Sequence, residues 1–226
     1  LEGIGLRQKC RDFYTKGANR IRELPGRPAF AIFSARWNNK ESFDEVLKVA
    51  PAEVLAAAGL RLPPPADLRP AMALGVAGFL TEAQENWRAE RVLIIGPVPE
   101  FRHPVPECLA RADHRGLDRD VCSMPRERVE RRRRETMITL DYLAAQFPNV
   151  RVIDPIDLFC DERLCRPYDS GGPLYTDGDH LSVRGAEKLY AAFSKDFAWA
   201  IEGNAATVSE VSENARGSAA GSAASP

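Results

Sequence analysis

Apolar positions at helical spacing open the chain: Leu6, Cys10, Phe13, Ile21 and Leu24 predict a helix from about Leu6 to Glu23. Past Pro25-Gly26, the continuous run Ala29 to Ser34 is short enough to be a buried strand, which ends at Ala35-Arg36-Trp37-Asn38-Asn39. A connection follows in which Ser42 to Ala58 is helical, closed by Pro63-Pro64-Pro65. Ala66 to Glu90 reads as a second long helix, weakened by Gly75 and Gly78. Arg91 to Pro97 is the clearest strand, stopped by Pro97 and Pro99. Phe101 to Ser123 reads as loop, and Met124 to Phe147 as a helix with Pro125 near its first turn. A third strand covers Val150 to Ile153. The last helix, Val183 to Ile201, carries Ala186, Tyr190, Phe193, Phe197 and Ile201 as one apolar stripe.

This alternation of strand and helix predicts an α/β fold, a parallel sheet with helices on both faces. In such folds chemistry gathers at the carboxyl ends of the strands. One domain is expected over 1–203, and a disordered Ala/Ser/Gly-rich tail over 204–226. With 31 Lys+Arg against 32 Asp+Glu the net charge is −1, which argues against a nucleic-acid binder that works by phosphate neutralisation. The longest strongly apolar stretches fall far short of the ~18 to 20 residues a membrane span needs.

Five cysteines, at 10, 108, 122, 160 and 165, match no CxxC zinc or redox spacing and favour an oxidising compartment. Cys160 and Cys165 suit a small disulfide loop, and Cys108 and Cys122 bracket another; two such bridges leave Cys10 alone.

The three histidines are His103, His114 and His180. His180 is the best placed, in a turn-rich segment before the last helix, with Ser182 as its N-cap and Asp177 three residues upstream. A carboxylate at that spacing can hold one ring nitrogen and leave the other free as a general base for a hydroxyl nucleophile. Asp and His in a surface turn can equally do no more than satisfy local backbone groups. Other constellations are weaker. Asp169-Ser170-Gly171-Gly172-Pro173 copies a serine-protease nucleophile turn in the wrong fold class and reads as a Gly-rich turn. His103, Cys108, His114 and Cys122 fit no zinc finger, so no metal and no cofactor are expected. Arg131 to Arg134, interleaved with Glu127, Glu130 and Glu135, reads as a solvated helix face with ion pairs, or less readily as a contact for a polyanionic glycan or lipid headgroup.

Asp177-x-x-His180-Leu181-Ser182 followed by Gly185-Ala186 resembles the last motif block of the SGNH hydrolase superfamily. More closely, it is similar to periplasmic SGNH domains fused behind an acyltransferase-3 membrane domain in bacterial O-acetyltransferases of surface polysaccharides. Ala35-Arg36-Trp37, Gly96-Pro97-Val98-Pro99-Glu100, and Leu158-Phe159-Cys160 with Cys165 extend the match to about Cys10–Phe197. The resemblance implies a three-layer, flavodoxin-like α/β fold and a Ser-His-Asp triad whose serine stands in a Gly-Asp-Ser motif. No such motif occurs in this chain. The expectation is therefore that the first strand, its serine and the cysteine partner of Cys10 lie upstream of Leu1; a natural domain that has lost its nucleophile is the competing account. His180 and Asp177 are the expected catalytic pair. Asn38 is a candidate oxyanion donor, and Arg36 and Trp37 are candidates for substrate contact or, equally, for a stacked pair closing the sheet edge. The implied function is transfer of an acetyl group, passed outward by an acyltransferase-3 membrane domain, to a carbohydrate acceptor in the periplasm, with attachment to the inner membrane. An SGNH esterase and a noncatalytic glycan-binding domain are the alternatives.

Overall fold

The computed structural model describes residues 8–23, 29–37, 55–56 and 58–202. The expected tail, the Ser42–Ala58 helix apart from its last turn, and Asn38 lie outside the described residues. Three parallel strands form the central sheet: β1 (Phe30–Phe33), β2 (Arg91–Ile95) and β4 (Val150–Ile153), in the order β1-β2-β4. All three stand where the apolar runs place them. Alternation along β2 sends Val92 and Ile94 to one face and Leu93 to the other, all fully buried, so both faces need cover. One is covered by α2 (Pro70–Thr81) and α4 (Arg126–Gln146), the other by α6 (Val183–Ala192) and α7 (Ser194–Glu202). The opening helix α1 (Gln8–Arg22) adds Ala18 to the first core.

Several element boundaries differ from the sequence reading, among them the helix expected from Met124, which begins at Arg126. The segment read as loop contains α3 (Val105–His114), whose Val105, Leu109 and Ala112 form a buried i, i+4, i+7 stripe hidden among charges. The second long helix begins only at Pro70, a residue suited to a first turn, and ends in a π-turn over Glu82–Asn86 before Arg88 adopts a left-handed φ of 59°. The last helix is two helices that break at Phe193. As a result Leu189, Phe197 and Ala200 face the core, while Tyr190 and Ile201 of the expected stripe are exposed.

A second, smaller core sits beyond the carboxyl ends of the strands. Phe101, Val105 and Leu109 pack there with Phe159, at the end of α5 (Ile156–Phe159), and with Leu174 and Tyr175. Cys108–Cys122 and Cys160–Cys165 are both bonded. The short antiparallel pair β3 (Met124–Pro125) with β5 (Leu164–Cys165) ties the two bridged segments together. Asp169-Ser170-Gly171-Gly172 turns between β6 (Tyr168–Asp169) and β7 (Gly172–Pro173), a Gly-rich hairpin.

Candidate active site

The segment 174–182 doubles back on itself. Tyr175 bridges Leu181, the Thr176 N–H donates to the His180 carbonyl at 2.9 Å, and the Ser182 N–H to that of Leu174 at 2.9 Å. Tyr175 roots this loop. It is fully buried, edge-on to Phe101 and to Phe159 at centroid distances of 4.9 and 5.6 Å. The loop tip is pinned to the chain that follows β2: Phe101 N–H donates to the Gly178 carbonyl at 2.6 Å and Val105 N–H to the Asp177 carbonyl at 3.0 Å. Only glycine fits at 178, because a Cβ there would lie 2.8 Å from the Phe101 carbonyl oxygen. On the other side, the Ser182 hydroxyl accepts the Gly185 N–H at 3.2 Å and caps α6.

Asp177 uses both carboxylate oxygens. Oδ1 accepts the N–H groups of Asp179 (2.9 Å) and His180 (2.7 Å), while Oδ2 faces His180 Nδ1 at 2.7 Å. Those backbone N–H groups, with the imidazole, hold the Asp177 carboxyl well below the ordinary carboxylate range. The hydrogen bond and charge of Asp177, reinforced by Asp179, raise the imidazole of His180 above its ordinary value. With Asp177 ionised, a neutral His180 carries its proton on Nδ1 and donates it to Oδ2, which leaves Nε2 as the basic nitrogen. The side chain of His180 is 73% exposed, so the ring is accessible to a reacting group.

An ion-pair chain ties this loop to the strand ends. Arg36, just past β1, places Nε 2.8 Å from Asp179 Oδ2 and its guanidinium 3.8 Å from Glu100 Oε2. Glu100, buried and just past β2, also accepts from Arg132 of α4 at 2.8 Å. Arg36 thus reaches the site through carboxylates. Trp37 does not reach it: its ring is buried edge-on to Phe33, and its N–H donates to the Ile95 carbonyl at 2.7 Å, which leaves no donor for a substrate.

The sequence reading gave Asp179 and Glu100 no role at the site and took Arg132 as part of a solvated helix face with ion pairs or, less readily, a contact for a polyanionic glycan or lipid headgroup. A signal existed on α4, where Val129, Arg133, Thr136, Leu140 and Leu143 lie at helical spacing and are buried. Arg133 therefore faces inward and pairs with Asp154 at the end of β4, and Arg132 turns toward Glu100. The four-arginine run is not uniformly a solvated face: two of its members hold acids that follow strands, while Arg131 makes the expected i, i+4 pair with Glu127.

Among the described residues, Asp177, Asp179 and His180 are also a group that could present ligand atoms to a metal, all within 4.8 Å of one another. Of their atoms, His180 Nδ1 faces Asp177 and Asp179 Oδ2 pairs with Arg36, while Nε2 stays open.

Residues 1–195 match the family described as SGNH domain (fused to AT3 domains). The chain belongs to this family. Among solved structures, the SGNH domain is similar to the Salmonella ser. Paratyphi A lipopolysaccharide acetyltransferase periplasmic domain, at 14% identity and a TM-score of 0.48. That match covers 82% of this chain and 62% of the other, so the SGNH domain spans less than two thirds of that structure's length. No curated protein matches it. Among its described residues, no helix is long and apolar enough to cross a membrane.

Proposed function

We propose that this SGNH domain carries the histidine and aspartate of an O-acyltransferase site that delivers an acyl group, such as acetyl, to a surface carbohydrate in the periplasm. The observation that carries the reading is the 2.7 Å contact between His180 Nδ1 and Asp177 Oδ2 on an exposed loop fastened beyond the ends of β1 and β2. Asp177 is the orienting carboxylate and His180 the general base. The nucleophile is a serine on a segment that adds to the sheet beside β1, whose neighbour among the described residues is β2 and whose Ile32 is 39% exposed. A strand added parallel there ends at the rim where Arg36 and Asp179 meet. The serine takes the acyl group, losing its proton to His180 Nε2. The imidazolium returns that proton to the departing group, and a sugar hydroxyl then repeats the sequence as acceptor. Membership of a family fused to AT3 domains supports a membrane acyltransferase as donor and attachment to the inner membrane through it.

In the full-length protein, His180→Ala is expected to lower acetylation of the glycan by at least about 100-fold, the ordinary contribution of a general base. Circular dichroism should stay unchanged, because the side chain is largely exposed. Unchanged acetylation would overturn the reading. The openness of His180 to water favours hydrolysis as a second reading. Acetate release that is independent of added acceptor would decide for an esterase.

A further inference from the structure

We infer that the cleft beside the His180 loop is a binding site for an anionic saccharide, one whose rings carry uronate carboxylates or phosphate. This rests on the acyl-transfer reading, and it names the charge class of the acceptor. The cleft encloses about 340 Å³, within the ~300 to 1,000 Å³ of small-ligand sites. Phe101 and Val105, largely buried, form its floor, and the exposed Val121 with the Cys108–Cys122 bridge gives the C–H face of a sugar ring an apolar edge to rest on. Its polar rim is unusual. Three guanidinium groups, from Arg102, Arg128 and Arg132, stand against a single lining carboxylate, Glu100. Glu100 is already shared between Arg132 and Arg36. Arg102 and Arg128 are exposed and form no salt bridge within the described residues. A chain of net charge −1 has no general excess of cations, so the positive rim is local. Guanidinium forks match carboxylate and phosphate oxygens in paired hydrogen bonds, whereas they gain much less from a neutral hydroxyl.

Position supplies the second argument. The two residues of the floor, Phe101 and Val105, are those whose N–H groups hold the Gly178 and Asp177 carbonyls. A saccharide seated in the cleft therefore lies against the residues that fasten the loop presenting His180.

The test is calorimetric titration of the 226-residue chain with trigalacturonate, with a phosphorylated maltotriose and with unmodified maltotriose. At least one anionic saccharide should bind about tenfold or more tightly than the neutral one, with affinity falling as salt rises. The anion that binds identifies the source of the charge. The double variant R102A/R128A, both side chains exposed, should lose that preference while its far-UV spectrum is kept. Equal affinity for charged and neutral sugars, no binding of either anion, or an unaltered preference in the double variant would overturn the inference. If that happens while His180→Ala still abolishes acetyl transfer, the anionic acceptor falls and the acyl-transfer reading stands. If saccharide preference holds while His180→Ala transfers normally, the acyl-transfer reading falls instead.

Discussion

At the scale of single residues, the site depends on one imidazole whose proton affinity has been moved. Asp177 is low chiefly because the Asp179 and His180 N–H groups donate to it, with the imidazole adding to them, and His180 is high because of the hydrogen bond and charge of Asp177. A general base works only when neutral, so a raised imidazole shifts the acid limb of the rate profile upward. Transfer should rise with pH through a midpoint above the ordinary ~6.5. Asp177→Asn removes the charge that raises the ring, and its imidazole resonances should titrate at a lower pH than in the parent, with transfer reduced. An unmoved NMR midpoint would separate the two side chains functionally. The contact itself was open to expectation because both members sit in one short turn, but the spacing left a merely structural pair standing, and it was the resemblance in Asp177-x-x-His180-Leu181-Ser182 that singled the pair out. Asp179, Glu100 and Arg36 were not legible as a chain of ion pairs. They come from loops that follow different elements, and only the parallel pairing of β1 with β2 brings those loops together.

At the scale of elements, the sheet was legible because buried parallel strands are continuous apolar runs, and β1, β2 and β4 are such runs. The helix α3 was not, because its three buried positions are matched by three charged ones, Glu107, Arg111 and Asp113, and its first residue stands between Pro104 and Pro106. The two helices that end the fold were read as one because the apolar spacing runs on past Phe193, where the backbone leaves helical geometry at φ −107°, ψ 25°. The start of α6 carries a tight constraint. A Cβ on Gly185 would sit 2.1 Å from the Leu174 carbonyl oxygen, which is backbone and cannot swing away. Gly185→Ala is therefore expected to cost about 1–3 kcal/mol in urea unfolding, the usual penalty of overpacking, and to displace the Ser182 cap beside the site. A stability equal to the parent's would mean that α6 is free to slide.

At the scale of the whole molecule, the domain has two cores of different character. The larger lies around the sheet and combines aliphatic side chains with rings such as Phe33, Trp37, Phe79 and Trp87. The smaller lies under the site and relies on aromatic rings, two covalent bridges and two-residue strands. Beyond the stripe of α3, the second core rests largely on short elements and loops, so its crosslinks matter more. Removing Cys108–Cys122, which closes a loop of sequence separation 14, by paired serine substitution should cost about 3 kcal/mol. Loss of Cys160–Cys165, at a separation of 5, should cost less. Equal losses from both, measured by chemical denaturation, would count against loop entropy as the source. The placement of the Cys108–Cys122 bridge reaches further than stability. One of its ends belongs to α3, whose first N–H grips the His180 turn, and its two cysteines line the cleft proposed to seat a sugar. Dithiothreitol would then act as a remote antagonist of this domain, slackening the seat and the grip of its reactive tip together while leaving every titrating group in place.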